Sequence, residues 1–316
     1  MKDKNMRDIY CDTLIELAEQ DKNIVVLDAD LMGANGLGPF KVAFPKNFYN
    51  TGVAEANMVG IASGLSAGGM NPFASSFACF SARRAFDQFF VSSNYAKIKV
   101  NLTGTDPGIS AAYNGGTHMT FEDLGIMRNV PNLVIYEPAD IVSLHALVKE
   151  AAYTSKSTYL RLHRKGINRL YNESETFTLG KGKVLRDGSD LTIIATGFIM
   201  VQEALKAAEL LAETGVSAAV VDMHTIQPLD EDLVLQCARK TGAILTCENH
   251  QVATGLGSAV SGFLSENYPT PVLRHGIRDE FGEVGNLSYL QERFEFTSEK
   301  IAAKAIQVMQ LKTVGV

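Results

Sequence analysis

GVAEANMVGIASGLSAGG, residues Gly52–Gly69, contains one side chain out of keeping with its neighbours. From Ala54 onward Met58, Ile61, Ala62 and Leu65 recur at helical spacing among small residues, which predicts a helix with an apolar face. Glu55 falls in the first turn of that helix, with no basic residue close to it in the sequence. A carboxylate there is favoured by the helix macrodipole and by the free backbone N–H groups, by about 0.3–1 kcal/mol. The other reading is that its charge meets a ligand, and the rest of the chain has to decide between the two.

Working outward, the first half alternates apolar strand-like runs with amphipathic segments. MRDIYCDTLIELAEQ reads as a helix, NIVVLDAD as a buried strand with an acidic end, PFASSF and IKVNLTG as strands, and RRAFDQFFVSSNYA as a helix. A Gly-rich loop, TDPGISAAYNGGTH, leads to a helix in MTFEDLGIMRNV, then the strand NLVIYEP, the helix ADIVSLHALVKEAA and the strand YLRLHR. Such alternation predicts a mostly parallel sheet with helices on both faces. Ligands gather at the carboxyl ends of strands in such sheets, which nominates Asp28 and Asp30, the loop after IKVNLTG, and Arg161 or Arg164. The pattern weakens into NRLYNESETFTLGKGKVLRDGSD, read as a linker ending in a hairpin, and a second α/β series then begins with LTIIATG. The expected fold class is therefore α/β, as two three-layer domains over residues 1–168 and 189–316 joined by a linker over 169–188.

Composition narrows the function. A chain of 316 residues with 46% hydrophobic and 20% charged residues can bury a large core. Its net charge of −6 and lack of Lys/Arg runs argue against nucleic acid as a partner. The four cysteines, Cys11, Cys79, Cys237 and Cys247, are scattered without metal-ligand spacing and read as free thiols in a reducing compartment. No apolar run is long enough to span a bilayer, and the charged opening MKDKNMRD is unlike a signal peptide, so a cytoplasmic protein with no membrane partner is expected. GLGS, Gly255–Ser258, opens a helix and suits either phosphate binding or close strand-to-helix packing, with packing favoured. The six histidines show no close pairing, so no metal is assigned to them.

The order of pieces in the first half carries more information than any one of them. An Asp-ended strand, Glu55 in a GxxEAxM helix, the phenylalanines of SSFACF, GGTH in a Gly-rich loop and PNLVIYEPAD together resemble the pyrimidine-binding domain of thiamine-diphosphate enzymes. The whole chain, through ENHQVATGLGSAV in the second half, resembles the carboxyl-terminal half of a transketolase, a section that some organisms encode as a separate subunit. The resemblance implies a transketolase activity: transfer of a two-carbon ketol unit from a ketose phosphate to an aldehyde. It also implies that Glu55 is the cofactor-activating glutamate, hydrogen-bonded to a ring nitrogen of the aminopyrimidine so that the exocyclic nitrogen can act as a base. Further implied roles are packing of Phe77 and Phe80 around the pyrimidine, proximity of Asp30 to the cofactor, and capture of the sugar phosphate by His118 and Arg164.

The sequence departs from the family in the substrate channel. Asp106 stands where the usual transketolase has a histidine, Asn114 where it has an aspartate that contacts a sugar hydroxyl, and Arg83 where it often has a tyrosine. Arg83 resembles instead the arginine of deoxyxylulose-phosphate synthases. An unusual donor, such as apulose 4-phosphate or a sulfonated sugar, is the expectation from these changes. No GDG motif occurs in the chain, so the Mg²⁺ that anchors the diphosphate is expected on a partner, an N-terminal transketolase subunit carrying the pyrophosphate-binding domain. Two copies of each chain are expected, with self-association through both domains of this one. The alternatives are a deoxyxylulose-phosphate-synthase-like or 2-oxoacid dehydrogenase β-type thiamine enzyme subunit, or a non-catalytic regulatory homologue.

Overall fold

The computed structural model describes residues 4–313. Six strands form in the first half: β1 (Ile24–Asp28), β2 (Phe48–Asn50), β3 (Asn71–Phe77), β4 (Asn101–Thr105), β5 (Val134–Tyr136) and β6 (Thr158–Leu162). The second half adds β7 (Lys183–Arg186), β8 (Leu191–Ala195), β9 (Ala218–Asp222), β10 (Thr225–Gln227), β11 (Ile244–Gln251) and β12 (Val272–Ile277). One sheet has seven strands in the order β10-β5-β6-β4-β3-β1-β2, the other five in the order β12-β11-β8-β9-β7. The long apolar runs become the central strands: every residue of β1, β4, β6, β8 and β9 is buried, as expected for parallel strands covered on both faces.

Two pairings depart from the sequence reading. The expected hairpin at the end of the linker does not form; β7 pairs antiparallel with β9 at the sheet edge instead of with β8. β10, a three-residue strand of the second half, pairs antiparallel with β5 and becomes an edge of the first sheet. The two α/β domains therefore share a sheet edge. The stretch RRAFDQFFVSSNYA is not one α-helix: the helix Ala78–Arg83 ends where the stretch begins, and after a turn Phe86–Gln88 leads into a π-helix over Phe89–Tyr95. The expected helix in ADIVSLHALVKEAA forms over Ile141–Tyr153, and Asp140 caps it through the Ser143 backbone N–H at 2.7 Å while the Ser143 hydroxyl accepts from the Asp140 N–H.

A buried ion network of the first half also reaches the second through a hydrogen bond. Arg161, fully buried in β6, is 2.9 Å from Asp123 and 3.0 Å from Glu137, and donates to the carbonyl of Asn249 at 2.7 Å. A guanidinium with three partners is satisfied there and turned away from any ligand. Arg161, nominated above for a site, therefore belongs to the junction between the domains.

Candidate active site

The parallel strands β1, β3, β4 and β6 end side by side, at Asp28, Phe77, Thr105 and Leu162. β1 lies between β2 and β3, so the strand order reverses at the β1–β3 pair, the position at which open α/β sheets bind ligands beyond the carboxyl ends of their strands. Glu55 begins the helix Glu55–Ala67, which follows β2 and faces the same edge. One end of the first sheet thus collects Asp28, Asp30, Glu55, Phe77, Asp106 and Arg164.

Glu55 is only 2% exposed. The Ser76 hydroxyl donates to its Oε1 at 3.0 Å, and Arg84 Nη1 lies 3.4 Å from Oε2. The side chain of Arg84 is 50% exposed and lies with its Cζ 3.9 Å from the centroid of the Phe80 ring. The carboxylate thus has a cationic neighbour that its local sequence did not reveal, on a long side chain with water on its other side. Beside it, Phe77 and Phe80 are 6.1 Å apart between centroids, and His118 meets both edge-on, at 5.8 and 5.2 Å. A buried carboxylate next to two phenylalanines and an imidazole is a donor set suited to a heteroaromatic ring that needs one protonated nitrogen and an apolar bed. The residues present fit the pyrimidine of thiamine diphosphate.

Arg164 closes the other side, with its Cζ 4.9 Å from the Phe77 centroid. Because Thr105 and Leu162 are register partners, Asp106 and Arg164 leave neighbouring strands together and form a buried ion pair. Arg164 Nε donates to Asp106 Oδ2 at 2.6 Å, and Nη1 donates to the Ala34 carbonyl at 2.9 Å. Beneath them Asp28 accepts from Asn35 Nδ2 at 2.8 Å, and Asn35 Oδ1 accepts from Thr105 at 2.9 Å. Burial pushes the Asp28 carboxyl up to about 6.

The remaining nominated residues sit around this centre. Asp30, at φ 63°, is exposed beyond β1 and accepts from Asn50 at 2.9 Å. Arg83 Nη2 donates to the Thr117 carbonyl at 3.0 Å and Nε lies 3.4 Å from Glu122, so Arg83 fastens the loop that presents His118. Asn114 is exposed at the end of the 3₁₀ segment Gly108–Asn114. That segment can lie against the second domain only because Gly108, at φ +55°, has no Cβ; one would fall 2.1 Å from Asn249 Oδ1. The GLGS turn is already filled: Glu248 accepts the backbone N–H of Leu256 at 2.7 Å and of Gly257 at 2.8 Å, which leaves the start of the helix Leu256–Asn267 no place for a phosphate. The sequence reading passed over Ser76 and Arg84. ARRAFDQ displays the second arginine, but only the folded chain brings it across 29 positions to Glu55. All four cysteines are buried and unpaired, no His/Cys/Asp/Glu cluster among the described residues is arranged for a metal, and none of their helices is long and apolar enough to cross a membrane.

A buried glutamate and an aromatic bed at the carboxyl edge of a parallel sheet fit the class of thiamine-diphosphate enzymes. The transketolase pyrimidine-binding domain matches residues 2–169 and the transketolase C-terminal domain matches residues 180–301; the chain belongs to the transketolase family. A 6-deoxy-6-sulfo-D-fructose transketolase subunit, SqwH, of Clostridium sp. (strain MSTE9) is 48% identical over 97% of this chain and 95% of its own. One of the subunits of an apulose-4-phosphate transketolase from Phocaeicola vulgatus is 36% identical over 96% and 97% respectively. A split gene transketolase solved as an inactive beta4 tetramer superposes with a TM-score of 0.90 at 40% identity, covering 98% of this chain and 100% of that one. 1-Deoxy-D-xylulose-5-phosphate synthases are related less closely, at 33–35% identity.

Proposed function

We propose that the chain is the pyrimidine-binding and C-terminal subunit of a two-chain transketolase that uses thiamine diphosphate and Mg²⁺ and takes its ketol unit from a ketose with an anionic terminus. The observation that carries this reading is the placement of Glu55, buried at a helix start beside Phe77, Phe80 and His118. Glu55 holds a proton at the ring nitrogen of the aminopyrimidine while Ser76 fixes the orientation of its carboxylate. Phe77 and Phe80 pack the ring and keep water from it, and Asp30 lies near the cofactor. The cofactor, when bound, supplies the electron sink. His118 and Arg164 donate hydrogen bonds to the terminal anion of the sugar and set the reacting carbons in place. In the net exchange the C2–C3 bond of the donor breaks and its C1–C2 unit bonds to the carbonyl carbon of the acceptor aldehyde. A proton leaves the donor 3-hydroxyl and one is gained by the acceptor oxygen, so the exchange is redox-neutral. The diphosphate and its Mg²⁺ are held by the GDG-bearing N-terminal subunit.

The donor is where the three substituted channel positions act. A relative acting on a sulfo-sugar and another acting on apulose 4-phosphate support a non-standard ketose, and the first is the more similar in sequence. The test is ketol transfer by the two chains together, with thiamine diphosphate and Mg²⁺, from 6-deoxy-6-sulfo-D-fructose, fructose 6-phosphate, apulose 4-phosphate and xylulose 5-phosphate. The sulfonated donor is expected to give the highest kcat/KM. Transfer from pyruvate with release of CO₂, and none from any ketose, would replace this reading with a synthase.

A further inference from the structure

The Asp106–Arg164 pair raises a question of charge. An arginine intended to hold a phosphate is usually left its full positive charge, yet here a buried carboxylate is bound to it. Arg164 spends Nε and Nη2 on Asp106 and one Nη1 hydrogen on the Ala34 carbonyl, so its remaining N–H groups can still donate. Its charge, however, is already balanced. Asp106 is held in place as firmly as its partner: its N–H donates to the Leu162 carbonyl at 2.9 Å, it accepts the Arg164 N–H at 3.3 Å, and it sits at φ 51°, a left-handed backbone that asparagine and aspartate tolerate better than most residues. The neighbouring groups do not restore the charge. His163 is buried against Phe198 at 4.5 Å, and burial lowers its pKa to about 4, so it is neutral near pH 7. Arg7 also donates to the Ala34 carbonyl, at 2.9 Å, but its own charge is met by Asp8, whose carboxylate lies 3.7 Å from its Nε.

We infer that Asp106 is a specificity-determining residue that selects a donor with a singly charged tetrahedral oxyanion at its terminus, a sulfonate in preference to a phosphate dianion. This deepens, and rests on, the functional reading above. A sulfonate carries one negative charge at every pH near neutrality and offers three acceptor oxygens to Arg164 and His118. A phosphate monoester carries about −1.5 to −2 at pH 7, with its second ionisation near pH 6. Its extra charge meets the Asp106 carboxylate across one guanidinium, a repulsion large enough to change relative kcat/KM by about tenfold in a partly solvated site.

The experiment is the ratio of kcat/KM for 6-deoxy-6-sulfo-D-fructose to that for fructose 6-phosphate, measured on the assembled two-chain enzyme for wild type, Asp106→Asn and Asp106→Gly. Both substitutions suit the positive φ, and Asn also keeps the side-chain shape. In wild type the ratio is expected to rise as the pH goes from about 5.5 to about 7.5, while the phosphate takes its second charge. Because both variants keep His118 and the other groups around the site, the difference between their pH profiles and that of wild type isolates the contribution of Asp106. Both variants are expected to lower the ratio by about tenfold near pH 7.5 and to flatten its pH dependence. Ketol transfer from both donors with an unchanged ratio in the two variants would overturn the role of Asp106. Absence of ketol transfer from every donor, with a stable two-chain complex, would overturn the functional reading and this inference together.

Discussion

Glu55→Gln in the assembled enzyme is expected to lower kcat by about 10²–10⁴-fold, the range for loss of a positioned acid–base group, while leaving the fold and the complex intact. Glutamine has the same length, and its amide oxygen still accepts from the Ser76 hydroxyl, so the helix start and the contact with β3 survive. The lost ion pair with Arg84 costs little, because that side chain is 50% exposed and returns to water. Loss of activity with retained stability is the signature of a carboxylate that acts on a ligand. A carboxylate that served only the helix would give the reverse: full kcat, with thermal stability lowered by about 0.3–1 kcal/mol. Steady-state ketol transfer and a melting curve on the same preparation separate the two.

The second large effect falls on stability. Arg161→Met is expected to destabilise the chain by about 3–5 kcal/mol in urea unfolding, because it strands the buried carboxylates of Asp123 and Glu137 without their counter-charge. The Tyr159 hydroxyl, which donates to Asp123 at 3.0 Å, cannot supply a positive charge. Adding Asp123→Asn and Glu137→Gln to that variant is expected to recover part of the loss, since the stranded charges are then gone. A cost below about 1 kcal/mol for Arg161→Met alone would mean that the site stays hydrated and that the two carboxylates are not stranded by loss of the guanidinium.

How far the sequence discloses this molecule depends on the range of the interaction. β1, β4, β6, β8 and β9 were legible because a strand buried on both faces is written as a continuous apolar run. The helix Ile141–Tyr153 was legible because its apolar residues recur at helical spacing. β10 was not: three residues of TIQ carry no period, and their partner in β5 lies some ninety positions earlier. The break in RRAFDQFFVSSNYA was hidden for a related reason, since its apolar spacing is helical throughout and only the packed chain selects the π-helix over Phe89–Tyr95.

The site divides in the same way. Glu55 stood out because a charge amid small apolar residues is a local anomaly, and the family resemblance then gave Phe77, Phe80, His118 and Arg164 as its company. The geometry brings those five residues to one edge of one sheet. The electrostatics of that edge were less visible. Arg84 reaches Glu55 from 29 positions away and Asp106 reaches Arg164 from 58, and neither spacing is a pattern that a chain displays in advance. Arg161 and Arg164 looked alike as strand-end arginines; within β6 one faces the domain junction and just beyond it the other faces the crevice.

In the proposed assembly this chain holds half of a cofactor site and a second chain holds the rest. Calorimetric titration of thiamine diphosphate with Mg²⁺ into this chain, into the GDG-bearing chain and into their equimolar mixture probes that division without relying on turnover. Stoichiometric binding is expected only in the mixture. Stoichiometric binding by this chain alone, accompanied by ketol transfer, would show that the site is complete within one chain and that the division is wrong.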